Sequence, residues 1–275
     1  MAYDPSSILL TNRVAIVTGV GQGIGRATAL LLARFGATVA MCDKNPDALD
    51  DTARAVAATG RPATARPVDV RDRAAVESFV TEVVDTHGRV DALVNNAGGT
   101  FFAPFLDLSA KGEDTLVLEN FTQVTTLVRL VVPHMPDGGS IVNLTSIEAH
   151  QAAPGFAIYG AMKAALAQLT RTLALELAPR HVRVNAIAPD AIPTGGDQSV
   201  RAEMLGGGAG YDPAVVPPLG AFGDPDDAAA AVAFLVSDLA RFVTGTTIHV
   251  DGGNWAAGGW RRVTDAGYPG EGAAG

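Results

Sequence analysis

The sequence predicts an α/β fold: a doubly wound, seven-stranded parallel sheet with helices on both faces, in a single domain over residues 1–275. Three observations predict it. Short, β-rich apolar runs alternate with longer helical patterns from one end of the chain to the other, the order of a parallel sheet covered on both faces. Hydrophobic residues make up 48% of the chain and charged residues only 18%, which suits a well-buried core. No internal repeat and no linker divides the chain, and right-handed crossovers between the parallel strands then give the doubly wound arrangement.

Taken in order, "RVAIVTG" reads as the first strand and "GIGRATALLLARFG" as the helix after it. "TVAMCD" leads into "NPDALDDTARAVAATG", "ATARPVDV" into "DRAAVESFVTEVVDTHG", and "VDALVNNAG" into one long pattern through "EDTLVLENFTQVTTLVRLVVPHM". Then follow "GSIVNLTS", a helix containing "YGAMKAAL", the strand "HVRVNAIAP", a helix at "DPDDAAAAVAFLVSDLA" and the last strand "GTTIHVDGG". Between the sixth strand and the helix at "DPDDAAAAVAF" lies a Gly/Pro-rich stretch, "PTGGDQSVRAEMLGGGAGYDPAVVPPLG". Loops of that length in compact domains usually cover a site, so residues of about 190–218 are expected to form a lid.

The formal net charge of −9, with no visible basic patch, argues against nucleic acid as a partner. Cys42 is the only cysteine, which excludes an intrachain disulfide and a Cys-based zinc cluster, and reads as a small buried residue. The five histidines lack a spacing such as H-x-x-x-H, so no catalytic metal is expected. The start, with Asp4 and Pro5, does not read as a signal peptide, and no run of about 20 apolar residues could span a membrane. The expectation is a soluble, cytoplasmic protein.

Between the first strand and the first helix, "TGVGQGIG" spaces Gly19, Gly23 and Gly25 as G-x-x-x-G-x-G. Glycine lets the backbone turn sharply and approach a ligand closely, and the following helix start offers free N–H groups to a pyrophosphate. Asp43 ends the second strand, 18 residues after Gly25. A carboxylate there can accept hydrogen bonds from an adenosine ribose and repels a 2′-phosphate, which favours NAD over NADP. The competing reading makes Asp43 the N-cap of the helix at "NPDAL".

Tyr159 and Lys163 stand four residues apart in "YGAMK", on one face of a helix and one turn from each other. Taken alone, the pair could be a half-buried tyrosine beside a snorkelling lysine. Read in order with "TGVGQGIG", "NNAG" (95–98), Ser146 and "NAIAP" (185–189), it makes the chain resemble the short-chain dehydrogenase/reductase family, a Rossmann-like fold, over roughly residues 8 to 253. The resemblance implies a catalytic tetrad of Asn120, Ser146, Tyr159 and Lys163, with Ser146 lying 13 residues before Tyr159; Thr145 is the rival for the serine's role. It implies cofactor contacts at Gly19, Gln22, Gly23, Ile24, Gly25, Asp43, Asp69, Val70, Asn96, Gly98, Tyr159, Lys163, Pro189, Ile192 and Thr194. Asp69 would meet the adenine amino group, Asn96 and Gly98 the adenosine ribose, and Thr194 the nicotinamide carboxamide.

A free tyrosine ionises near pH 10, too high for a base at neutral pH, and an ammonium one turn away favours the phenolate. In alcohol oxidation Tyr159 would take the hydroxyl proton while NAD accepts the hydride, Ser146 would hold the same oxygen, and Asn120 would anchor a water joining Lys163 to solvent. The expected activity is NAD-dependent interconversion of a secondary alcohol and a ketone. The alternative is a non-catalytic member of the fold that binds the dinucleotide for structure or sensing. An epimerase or dehydratase on a nucleotide sugar would need a longer substrate domain than this chain has.

The chain departs from the family after the sixth strand, where Asp190 stands in "APDAIPT" in place of the usual glycine. Asp190 either caps a turn or brings a carboxylate to the pocket mouth. Phe101, Phe102 and Phe156, with Glu148, His150 and Gln151, are the substrate-side candidates. The aromatics suggest a hydroxyacyl, terpenoid, steroid or sugar-like substrate with apolar area, although core packing would also explain them, and His150 reads as an exposed loop residue. Beyond "VDGG", residues 254–275 add a tail carrying Trp255, Trp260 and Tyr268. The family's assemblies imply a homotetramer, built on the helices that carry Asn120 and Tyr159, with the tail packed across a subunit boundary.

Overall fold

The structure, a computed structural model, describes residues 3–194 and 217–258. Seven strands form one sheet: β1 (Val14–Thr18), β2 (Thr38–Asp43), β3 (Ala63–Pro67), β4 (Ala92–Asn95), β5 (Ser140–Leu144), β6 (Arg183–Pro189) and β7 (Thr247–Val250). All pairings are parallel, in the order β3-β2-β1-β4-β5-β6-β7. The chain winds outward in one direction from β1 and then in the other from β4. The crevice between their C-terminal ends is where such sheets bind ligands.

Strand alternation divides the core into two layers. On one face Ala15 and Val17 of β1 join residues of α1 (Gly23–Arg34), α2 (Pro46–Ala57) and α7 (Pro225–Val236). On the other, Val14 and Ile16 join α3 (Arg73–His87), α5 (Gln123–Val131) and α6 (Ala157–Glu176). All five residues of β1 are buried, because a central parallel strand is covered on both sides. A polar spine crosses the second layer: Asn95 donates to Asn143 Oδ1 at 2.8 Å, and Asn143 donates to Thr170 Oγ1 of α6 at 2.9 Å. It locks β4, β5 and α6 in register beneath the site.

One predicted helix is not regular. The pattern through "EDTLVLENFTQVTTLVRLVV" divides into α4 (Ala110–Val117), a π-helical turn (Leu118–Thr122) and α5. The turn coincides with Asn120, whose side-chain amide donates to the Leu116 carbonyl one turn back at 3.0 Å and to Gly99 O at 2.9 Å. An amide side chain that engages backbone carbonyls loosens the i to i−4 ladder. Residues 195–216 of the expected lid and 259–275 of the tail, including Trp260 and Tyr268, lie outside the described residues. The described start of the tail forms a short helix, α8 (Asn254–Ala257).

Candidate active site

The glycine turn is joined to the end of β4. Gly19 has φ +70° and donates its N–H to Cys42 O at 2.8 Å. Asn96 Nδ2 donates to the carbonyls of Thr18 and Gly19, both at 2.9 Å, while Thr18 Oγ1 accepts the N–H groups of Asn96 and Ala97 at 3.1 and 3.0 Å. Gly25 closes this joint: a Cβ there would fall 2.1 Å from Gly19 O and 2.3 Å from Asn96 Nδ2. The glycine lets the first turn of α1 sit directly on the strand ends, with Gln22, Ile24 and Gly25 lining the cleft above.

Asp43 faces this turn. Its carboxylate accepts the N–H of Gly21 at 2.8 Å and of Asn45 at 2.9 Å. The capping reading of Asp43 is incorrect: Asn45 caps α2, accepting from Asp47 N at 3.1 Å and Ala48 N at 3.2 Å. Cys42, just before it, is buried as expected, and burial pushes its thiol up to about 12.

A cleft of about 570 Å³ runs from Asp43, Asp69 and Val70 past Gly98 to Tyr159, Lys163, Pro189 and Thr194. Its volume and its glycine floor fit a dinucleotide. Two predicted contacts differ in placement, and a third, Asp69, lines the cleft but is already paired. The Ile192 side chain turns into the core, because the hydrophobic layer under α7 takes it. Gly23, with φ +54°, lies beneath the β6 loop, where a Cβ would sit 2.8 Å from Thr194 Cγ2. Asp69 is already engaged by Arg71, whose Nε and Nη2 donate to its two oxygens, with Nη2–Oδ2 at 2.6 Å. This pair holds the Asp69 carboxyl below its ordinary range, chiefly through the hydrogen bond. Arg71 also reaches Glu119 across the cleft at 3.6 Å. The sequence reading missed Arg71 and Glu119; the signal for the first was an arginine two residues after Asp69 in "DVRD".

At the other end, Lys163 is buried and donates to Leu144 O at 2.9 Å, with its Nζ 5.5 Å from the centre of the Tyr159 ring. Burial pulls the ammonium down to about 8, against the opposing charges of Glu119 and Glu148. Asn120 is fully buried beside it. A Cβ at Gly98 would lie 2.9 Å from Asn120 Oδ1 and 3.3 Å from Lys163 Nζ, so the missing side chain is what lets both groups reach one point.

Thr145 is removed as the serine's rival, because its hydroxyl donates to Ile187 O of β6 at 2.7 Å. Ser146, also buried, hydrogen-bonds the carboxylate of Glu148. Burial, with Asp190 adding to it, holds the Glu148 carboxyl above its ordinary range. Asp190 is no simple turn cap: its carboxylate accepts from Asn254 Nδ2 of the tail at 2.6 Å, and its N–H meets Val250 O at 3.1 Å. The expectation of an exposed His150 is also corrected. The ring is half-buried, 4.7 Å from the His249 ring and 5.6 Å from Trp255, because the tail folds back over it. Phe101 lines the cleft, and Phe102 meets Phe156 edge-on with ring centres 5.8 Å apart.

A glycine-turn cleft at the switch point of a parallel sheet, with a buried lysine beside a tyrosine at its end, defines a dinucleotide-binding oxidoreductase. Comparison with known proteins narrows the class. A family model described as enoyl-(acyl carrier protein) reductase matches residues 19–254. The 3-oxoacyl-(acyl-carrier-protein) reductase FabG of Thermotoga maritima is 38% identical over 248 residues, covering 89% of this chain and 98% of its own. Carveol dehydrogenase from Mycobacterium avium, solved in complex with NAD, aligns with a TM-score of 0.84 at 30% identity, over 90% of this chain and 99% of that one. A short-chain dehydrogenase from Mycobacterium paratuberculosis, bound to NAD, gives 0.82 at 30% identity over the same shares. The chain belongs to the short-chain dehydrogenase/reductase family. It is an NAD(P)-dependent oxidoreductase of that fold, acting between CH–OH and ketone groups.

Proposed function

We propose that the protein interconverts a neutral, partly apolar secondary alcohol and its ketone, using NAD, with Tyr159 as general acid and base. The observation that carries this is the convergence of Lys163 and Asn120 at Gly98, one helical turn from Tyr159. A protein that only bound the dinucleotide would have no use for a buried ammonium at that point, since burial disfavours its charge.

Asp43, Gly19, Gln22, Ile24 and Gly25 would hold the adenosine and pyrophosphate end, and Thr194 and Pro189 the nicotinamide end. When bound, NAD supplies the two-electron acceptor. Tyr159 takes the proton of the alcohol oxygen in oxidation and returns it in reduction. Lys163 keeps the phenol oxygen near a positive charge and favours its ionised form. Asn120 fixes the water through which Lys163 exchanges protons with solvent. Ser146 holds the substrate oxygen opposite Tyr159. Asp43 supports NAD as cofactor, because a 2′-phosphate would bring negative charge against a carboxylate already fixed by two N–H groups.

Phe101, Phe102 and Phe156 supply apolar wall, and the half-buried Asp190, whose carboxyl oxygen accepts from Asn254, offers no positive charge to an anionic substrate. Carveol and other cyclic secondary alcohols fit that balance better than a free acid. The test is a panel of secondary alcohols, including carveol, with NAD and with NADP, read by absorbance of the reduced nicotinamide. Turnover with NAD on at least one neutral alcohol is expected. Tight NADH binding without turnover on any alcohol or ketone would favour the binding-only reading.

A further inference from the structure

Ser146 has one hydroxyl hydrogen, and its partner in the structure is Glu148. An ionised carboxylate only accepts. With Glu148 ionised, the Ser146 hydrogen points away from the substrate, and only lone pairs face the oxygen on which negative charge develops. A fixed carboxylate next to that oxygen opposes the same charge. The arrangement defeats the serine's purpose unless the carboxyl carries a proton.

We propose that Glu148 works as a neutral carboxylic acid and a positioning residue: it donates to Ser146, which frees the Ser146 hydrogen to donate to the substrate oxygen. This rests on the oxidoreductase reading of the site. Two donors in series polarise one another, so the outer bond to the substrate oxygen strengthens as its charge grows. No proton leaves the pair, and Tyr159 remains the proton carrier.

The surroundings support the neutral form. Glu148 sits on the turn after β5, and the first turns of α6 press on it: a Cβ at Gly160, next to Tyr159, would lie 3.1 Å from Glu148 O. The charged groups that face it are Asp190 from the end of β6 and Lys163 from α6. Burial and Asp190 disfavour ionisation, whereas the Ser146 bond and Lys163 favour it; burial is the largest and the balance is upward. His150, two residues on, is turned instead to His249 and Trp255.

The inference is tested on Glu148→Gln, whose amide donates to Ser146 at every pH, and on Glu148→Leu, which cannot donate. With carveol and NAD, kcat/KM of Glu148→Gln relative to wild type should rise through a single ionisation, climbing up to tenfold per pH unit above it. Glu148→Leu should lose at least tenfold in kcat with NADH binding unchanged. Infrared pH-difference spectra of the wild-type protein should contain the carbonyl band of a buried carboxylic acid, missing in Glu148→Gln. A pH-independent ratio, a wild-type kcat in Glu148→Leu, or no such band would each overturn the role of Glu148. Absence of turnover on every alcohol tried overturns the functional reading instead, and the infrared band still decides the state of Glu148.

Discussion

Lys163 Nζ and Asn120 Oδ1 meet over Gly98, 3.3 and 2.9 Å from where a β-carbon of that residue would stand. Both groups are tethered to backbone carbonyls. Asn120 is held by two carbonyls, Gly99 O and Leu116 O, and Lys163 by Leu144 O.

Gly98→Ala should therefore displace one of the two. A Cβ under 3.0 Å from a buried amide oxygen forces a shift of a few tenths of an ångström, and misplacement on that scale at a catalytic group costs on the order of tenfold or more. The measurement is kcat beside a thermal melt. A variant with wild-type kcat would mean that the convergence has no catalytic role.

The buried Lys163 gives a pH signature in stability. Its folded value of about 8 lies below the ordinary 10.5, so below pH 8 both states hold the proton and the cost of burying the charge is fully present. Between about 8 and 10.5 the folded chain releases the proton while the unfolded chain keeps it, so this group's contribution to stability improves as pH rises. Wild type should gain on Lys163→Met by roughly 3 kcal/mol or less across that window. Denaturant melts of both proteins at pH 7 and 10 check it, and a pH-independent difference would contradict the burial argument.

Cofactor choice rests on Asp43. Wild type should favour NAD over NADP by at least about tenfold in kcat/KM, an effect of like charge at close range. The substitution that isolates the charge is Asp43→Asn rather than Ala, because the amide keeps one acceptor oxygen where the carboxylate accepts Gly21 N–H on Oδ2 and Asn45 N–H on Oδ1. Asp43→Asn should narrow the preference and, with one of the two N–H bonds lost, lower the melting temperature less than Asp43→Ala does. Equal efficiency of wild type with both cofactors would reject the assignment.

Assembly is the fourth expectation. Leu175 at the end of α6 and Leu118 in the π turn are exposed in the single chain, at 77% and 42%. We read them as parts of subunit contacts in a homotetramer, because large apolar side chains on the site-bearing helices are otherwise left in water. Light scattering should give four times the chain mass, and Leu175→Glu should reduce it. Truncation after Gly253 should also remove the Asn254 bond to Asp190 and weaken alcohol binding. A monomeric wild type would contradict the assembly.

Much of this was legible in the sequence, for a physical reason. Strands of a parallel sheet and a glycine turn are local patterns, so β1, the turn and Asp43 could be read directly. The tyrosine–lysine pair is equally local, being one helical turn apart. What the sequence hid was set by contacts between distant segments. The π turn at Asn120 depends on Gly99, 21 residues away. Nothing near His150 in sequence foretells the rings of His249 and Trp255 that half-bury it. Asp190 found its partner 64 residues on, in the tail. The Ser146–Glu148 bond is local, but it depends on the three-residue turn after β5, which has no periodicity to read.

The central claim is that Tyr159 carries the proton, and Tyr159→Phe tests it most directly, keeping the ring beside Lys163 and removing only the phenolic oxygen. With carveol or the best alcohol of the panel, kcat should fall by about 10² to 10⁴, the usual contribution of general acid–base catalysis, while NADH affinity stays within about twofold of wild type. Near-normal kcat in Tyr159→Phe would contradict the account.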